Sequence, residues 1–496
     1  MTRALLPGYF ASITVLGGCA AVPADRSLPF AVPQSFSAPP GPKPEPPLDA
    51  WWMRFRSAEL ARLVALADTS SFDIAAAVAR LDQAEAQARI AGAALFPIIG
   101  FSGGAQQSRN SGTSVRGAIS SPSPHVSFNA GFSASYIIDV WGQLRDGQRA
   151  AQLIVEASAY QREVVRLATR ASVVNAYLQY ALTQEQLRIA NENLRNAERI
   201  QGVIRERLTA GTGTALDLAQ QESLVANQRA NLPPLRLASA NARTMLAVLL
   251  GRPPQGLVIK SARLNGFATP RVSPGLPASL LVRRPDIRAA EAQLASAEAN
   301  VEAARKALLP AVQLTGQGGL QSAALAAFLR PESALFALAA GLTQPIFEGG
   351  RLRAQADFSD AQRRELLEAY RRSIIAALTD VENALAAIRE GDRREAALRV
   401  AIVKARKAFM LSEERLRQGT IDLVILLNTQ QTLFQAQDAL AQTRLARLQA
   451  AVSLFQALGG DWNERSIGLR TKRPEQAASE LTQVPAEGTA REDFSQ

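Results

Sequence analysis

Two stretches, RLTAGTGTAL from Arg207 and RLRQGTIDLV from Arg415, share the order Arg-Leu-x-x-Gly-Thr and lie about 208 residues apart. This repetition constrains the fold more than any other feature, because a unit written twice must be built twice and then packed against its own copy. The match extends well beyond the turn. ARLDQAEAQARIAGAALFPIIGFSGG from Ala79 parallels AQLASAEANVEAARKALLPAVQLTGQGG from Ala292. In both, an Ala-, Glu- and Gln-rich helical run meets a Pro, Pro97 or Pro310, and must end there. Segments of mixed alternation follow each Pro, about 98–107 and 126–138 in the first copy and about 311–320 and 335–345 in the second. Gly142-Gln143-Leu144 and Gly350-Arg351-Leu352 then open new helices. The unit reads helix, strand, loop, strand, long helix, turn, helix. Its two copies close alike, with LAVLLG ending at Gly251 and FQALGG at Gly460, where Gly suits a helix C-terminus.

The long helices carry a coiled-coil seam. Tyr160, Val164, Leu167, Ala171, Val174, Leu178 and Ala181 step by four and three, as do Ile374, Leu378, Val381, Leu385 and Ile388. From Leu144 to Leu208 no Pro intervenes, which allows a helix roughly 100 Å long. The chain is expected to form two long antiparallel hairpins whose tips, 209–214 and 417–422, are the repeated turns. Gly211 and Gly419 let the backbone reverse. Pro233-Pro234 should interrupt the first return helix.

The strand segments are about ten residues each, the length of a tilted membrane-spanning β-strand, and alternate weakly between small polar and apolar residues. Lipid tolerates no open sheet edge, and the smallest closed barrels use about eight strands. Four strands per chain must therefore be pooled with copies of the chain. Three copies would give a twelve-stranded barrel and, below it, a ring of paired hairpins. A soluble sheet is the competing reading of the same alternation.

Composition narrows the function classes. The 496 residues include one Cys and one His. That rules against a disulfide framework and supplies too few soft ligands for a zinc site. His125 sits in SSPSPHVSF, which reads as a loop without an orienting partner, so a catalytic unit is not expected. The charge of +11 is spread along helical runs among Glu, Asp and Gln, which suggests solvated helix faces and not a nucleic-acid surface. No nucleotide-binding G-x-x-x-x-G-K-[ST] is present. Neither an enzyme nor a cofactor is expected.

The N-terminus, MTRALLPGYFASITVLGGCA, is shaped as a secretory signal over residues 1–18. Leu16-Gly17-Gly18-Cys19 resembles the lipobox of bacterial lipoproteins, which makes Cys19 the acylated residue, and Ala20 then permits export to the outer membrane. Residues 19–50, with PPGPKPEPP, form a Pro-rich tether. The tail 463–496 has no apolar period, and partial disorder is expected there.

PGLPASLLVRRPDIRAAEAQLASAEANVEAARKALLPAVQLTG (274–316) and LTQPIFEGGRLRA (342–354) resemble the two signatures of the TolC/OprM/NodT outer-membrane factors, and the likeness runs from about Trp51 to Trp462. The resemblance implies an α+β membrane protein with an internal tandem repeat. In it a trimeric 12-stranded β-barrel, four strands per protomer, continues into a long α-helical coiled-coil barrel. The first repeat would span 51–251, an equatorial segment 252–277 and the second repeat 278–462. The implied role is the outer-membrane exit duct of a tripartite export system, reaching into the periplasm and passively conducting drugs or other small molecules. The implied partners are two further copies of the chain, a periplasmic adaptor, an inner-membrane pump of the resistance-nodulation-division type and outer-membrane lipid.

By the same resemblance the adaptor docks on Arg207, Leu208, Gly211, Thr212, Arg415, Leu416, Gly419 and Thr420. Asp217 matches a position that holds the closed aperture through neighbouring helices; a first-turn Asp favoured by the helix dipole is the alternative. Where many relatives carry an acidic residue at the narrowest point, this chain has Asn428, with Asp422 one turn earlier. A neutral Asn ring would bind cations less well. Two other classes compete. A periplasmic adaptor would have one hairpin flanked by β-domain halves, and a structural coiled-coil lipoprotein of the envelope would have no strand pairs.

Overall fold

The computed structural model describes residues 28–37, 50–109, 124–260, 263–270 and 277–462. The chain divides into two units, 1–30 with 475–496 and 31–474, and every element below belongs to the second. The first repeat consists of α1 (Ala58–Ser70), α2 (Phe72–Ala93), β1 (Ile98–Ser108), β2 (His125–Ile138), α3 (Gln143–Thr209), α4 (Ala215–Ala230) and α5 (Leu232–Leu249). The second consists of a short α6 (Leu280–Arg283), then α7 (Pro285–Lys306), β3 (Ala311–Ser322), β4 (Ala334–Thr343), α8 (Arg351–Arg417) and α9 (Leu423–Ala457). The two long helices, α3 and α8, are 67 residues each, about 100 Å.

The strands and the long helices begin and end within one or two residues of where their sequence pattern starts and stops. The last strand stops at Thr343, short of Pro345, and the third runs on to Ser322. The first return path is two helices with a break at Asn231, and Pro233-Pro234 lie in the first turn of α5, where the missing N–H costs nothing. His125 is the first residue of β2, not a loop residue, and its ring lies 2.9 Å from the Ser108 hydroxyl, tying the ends of β1 and β2 together. Sequence reading missed this because the Pro-rich run hides where the strand begins. Cys19 and the tail 463–496 lie outside the described residues.

The strands form one antiparallel sheet in the order β1-β2-β3-β4, so β2 and β3 join the two repeats and β1 and β4 are open edges. The register sorts every side chain onto one of two faces. One face carries Ile99, Phe101, Phe128, Phe132, Tyr136, Val312, Leu314, Leu320, Phe336, Leu338 and Leu342. The other carries Ser102, Gln106, Ser127, Asn129, Ser133, Ser135, Gln313, Thr315, Gln317 and Gln321, with Ile98, Ile137 and Leu335 toward its ends and no formal charge among its described residues. The apolar face is bare: Phe336 and Leu338 are each 84% exposed. At the junction of the repeats Gly131 pairs with Gly319, and a Cβ on Gly131 would lie 2.8 Å from the Gly318 carbonyl oxygen, so only Gly allows that approach.

The main core lies between the sheet and the hairpin tips. Trp51, Phe55, Leu60 and Leu63 pack on Val174, Tyr177 and Leu178 of α3, on Leu246 of α5 and on Val452 and Phe455 of α9. Trp51 stacks on Phe455 with ring centroids 5.1 Å apart. Each such side chain contributes about 1.5–3 kcal/mol on burial. Arg170 of α3 is buried beside it, bonded to Asp68 at 2.8 Å and Asp461 at 2.7 Å and lying over the Trp52 ring. Glu395 of α8 gathers Arg399, Arg444 and Arg447, and these two α9 arginines reach Asn265 and Thr269, fastening the equatorial segment to the hairpin. Burial works to raise the Glu395 carboxyl, but hydrogen bonds from Arg399 and Arg444 and the charge of Arg447 hold it below the ordinary carboxylate range. Phe36 of the tether is also buried, against Leu280, Val381, Ala384 and Leu454, and the Ser37 amide donates to Glu382. The Pro-rich tether is thus docked on the second repeat at one aromatic residue.

The two repeats are not equally covered. Ile287, Leu294 and Val301 of α7 are buried, whereas their counterparts Ile74, Leu81 and Ala88 of α2 are only half covered. The long helix α3 is wrapped by α2, α5, α7 and α9, but α8 leaves Ile375, Val400 and Val403 half or more exposed.

Candidate functional site at the hairpin tips

The shared Arg-Leu-x-x-Gly-Thr motif is a helix-ending device used twice. Gly211 and Gly419 both take φ of 72°, the left-handed conformation that ends a helix. The following Thr amide returns to the Arg carbonyl, Thr212 to Arg207 at 2.9 Å and Thr420 to Arg415 at 3.0 Å. Each Thr hydroxyl donates to the same carbonyl, at 3.2 and 3.1 Å. The motif therefore satisfies carbonyls that the end of a long helix would otherwise leave unpaired. The return helices then start on matched caps. Thr214 accepts from the Asp217 amide at 3.1 Å while Asp217 accepts from the Thr214 amide and hydroxyl, a reciprocal capping box. Asp422 caps α9 by accepting from the Val424 amide.

The two tips sit side by side on a shared apolar base of Ile200, Ile204, Phe409, Leu416, Leu426 and Phe434. Arg207 reaches across and donates to the Leu416 carbonyl at 2.7 Å. One layer above, Arg199 of α3 makes a two-pronged ion pair with Glu413 of α8, which also receives Arg417 at 2.8 Å. The Arg199 hydrogen bond holds the Glu413 carboxyl below its ordinary range against the opposing effect of burial. Between the tips lies a cleft of about 370 Å³ lined by Ile204, Arg207, Asp217, Leu416 and Asp422.

Of the residues singled out from sequence, Arg207, Asp217, Leu416 and Asp422 come together around this cleft, and Gly211, Thr212, Gly419 and Thr420 form the exposed turns. Leu208 is half-buried, Arg415 exposed and Leu416 buried. Asn428 is exposed on α9 and does not line the cleft. Asp217 spends its carboxylate on its own helix start within this chain. The Arg207–Leu416 and Arg199–Glu413 links were not foreseen. The first partner is a backbone carbonyl, which leaves no mark in sequence, and the second joins residues over two hundred positions apart. Among the described residues no group of His, Cys, Asp and Glu could hold a metal, and no helix is long and apolar enough to cross a membrane.

This arrangement matches known proteins along nearly its full length. The outer membrane efflux protein family matches twice, at residues 63–252 and 276–460, one match per repeat. The chain is 42% identical over 448 residues to the pyoverdine export outer membrane protein OpmQ of Pseudomonas putida, covering 90% of this chain and 95% of that protein. It is 30% identical over 474 residues to the probable efflux pump outer membrane protein TtgC of the same species, covering 94% and 97%. The solved open-state MtrE outer membrane channel of Neisseria gonorrhoeae superposes with a TM-score of 0.79 at 27% identity, over 89% of this chain and 98% of that one. The outer-membrane channel OprN superposes at 0.80 with 25% identity, over 90% and 99%. The chain belongs to the outer membrane efflux protein family.

Proposed function

We propose that three copies of this chain close into one tube that serves as the exit duct of an export system. The observation that carries this is the sheet: four strands, two open edges, one bare apolar face and one uncharged polar face. A bilayer excludes open edges, so the sheet has to close on copies of itself with the apolar face toward lipid and the polar face toward a lumen. Three copies supply twelve strands, and their hairpins continue the lumen as a helical tunnel. Cys19 carries the lipid anchor at the outer membrane. The exposed turns, Gly211 and Thr212 with their mates Gly419 and Thr420, together with Leu208 and Arg415, receive a periplasmic adaptor over the buried Leu416 and the inward-bonded Arg207, and an inner-membrane pump supplies the energy. Transport through the duct is passive. Pyoverdine is the cargo to test first, because it is the one named for the OpmQ relative, and an uncharged, hydrogen-bonding lumen suits a polar cargo.

Reconstitution of the purified protein into a planar lipid bilayer tests the duct. Discrete conductance steps are expected, with weak preference for either ion sign in the barrel segment. A protein that inserts without conducting contradicts the reading. Addition of pyoverdine on one side and its recovery on the other then tests the cargo.

A further inference from the structure

The tandem repeat makes the contact between the two halves of one protomer a template for the contact between protomers; this rests on the trimeric reading above. Moving every element forward by one repeat turns α3 into α8, α7 into the next subunit's α2, and the first tip into the second. The exposed surfaces agree with that operation. Ala76, Ala79 and Gln83 of α2 are exposed where their α7 mates Ala289, Ala292 and Ser296 are buried, the two alanines against Ala157 and Tyr160 of α3 and the Ser296 hydroxyl donating to the Ala150 carbonyl; α8 in turn exposes Phe358 and Ile375, whose α3 mates Ala150 and Leu167 are buried and half-buried. At the tips the same operation carries the bond from Arg207 to the Leu416 carbonyl onto Arg415. Arg415 occupies the same place in the last turn of α8 that Arg207 has in α3, is exposed, and its guanidinium makes no hydrogen bond or ion pair among the described residues. The intended acceptor is in the matching state: the Leu208 carbonyl accepts from the Gly211 amide at 3.1 Å, as the Leu416 carbonyl accepts from Gly419 at 3.0 Å while still taking Arg207.

We propose that Arg415 is the clamp between subunits, its guanidinium donating to the carbonyl of the partner subunit's Leu208. Arg-to-carbonyl links then ring the tips, alternately within and between subunits. The second link inside the protomer has no such counterpart. Moved forward by one repeat, Arg199 and Glu413 become Lys407 and the partner subunit's Arg205, two cations where the protomer has an ion pair. Arg205 leans on Glu222 at 3.3 Å, which moderates that repulsion without replacing the lost pair. Of the two polar links, only the Arg-to-carbonyl one carries over to the seam between subunits, so that seam parts first when the tips open.

Short thiol cross-linking of the full-length protein tests the clamp. The pair Arg207→Cys with Leu416→Cys should link within one chain and leave the denatured protein as a monomer band. The pair Leu208→Cys with Arg415→Cys should shift that band to covalent dimers and trimers under the same reagent. A protein that is trimeric on native gels, links at the first pair and stays monomeric at the second overturns the clamp while leaving the trimer intact. A protein monomeric on native gels overturns the trimer and the clamp with it. In bilayers, Arg415→Ala should raise conductance more than Arg207→Ala, which keeps the Arg199–Glu413 pair; equal effects contradict the assignment of the weaker seam.

Discussion

Gly131 stands where the two repeats meet in the sheet, with the Gly318 carbonyl oxygen 2.8 Å from where a Cβ would be. The obstacle is backbone and cannot rotate away. Gly131→Ala should therefore destabilise the folded assembly by about 1–3 kcal/mol, as overpacking does. Gly341→Ala, with nothing within 4 Å of the new atom, should leave it unchanged. The heat at which the oligomer band is lost on a gel reads both. At the tips, Thr214→Ala removes half of the capping box and should cost about 1 kcal/mol, seen as faster hydrogen exchange in the first turn of α4. The Glu413 carboxylate, held below its ordinary range chiefly by Arg199, stabilises the tips above its unfolded-state titration. That contribution is lost as pH falls through the depressed folded value, so acid should loosen the tips, and Glu413→Gln should remove the acid-dependent part. A tip hydrogen-exchange profile equally acid-sensitive in Glu413→Gln would count against this. At this scale the sequence disclosed the turn glycines and the Gly-Thr pairs that act on their own backbone, but not the N-caps Thr214 and Asp422. It did not disclose Arg207's acceptor or Arg199's partner, because those depend on how two distant hairpins lie together.

The elements were legible because their period is regular and their stops are chemical. Pro97 and Pro310 end α2 and α7, the four-and-three stepping marks α3 and α8, and the boundaries agree to a residue or two. Periodicity could not distinguish α2 from α7, since both are written in the same Ala-rich pattern and differ only in what covers them. The sheet's two faces were weakly visible, and only the register shows that one is apolar across all four strands. A lipid-facing charge should then be costly and a lumen-facing one tolerated. Leu338→Arg is expected to destabilise the inserted barrel by about 2–4 kcal/mol if it lies near the bilayer midplane. Ser133→Arg, on the opposite face, should spare insertion and shift ion preference toward anions. Refolding into lipid vesicles at graded urea compares them, and equal costs would mean that both faces meet the same solvent.

At the scale of the whole molecule, the chain carries large exposed surfaces that have no occupant within itself: the apolar sheet face, the two strand edges, one side of α2 and one side of α8. The strand edges match each other, the open sides of α2 and α8 have covered counterparts in α7 and α3, and the apolar sheet face is left for lipid. A closed ring of identical subunits pairs the edges and covers the open helix sides at once, whereas a monomer or an open filament leaves edges in lipid. Electron microscopy of the detergent-purified, full-length protein tests the central claim most directly. Class averages should show tubes with three-fold symmetry and a continuous lumen, with a helical part approaching 100 Å in length. Monomers, or rods without a lumen, would contradict it.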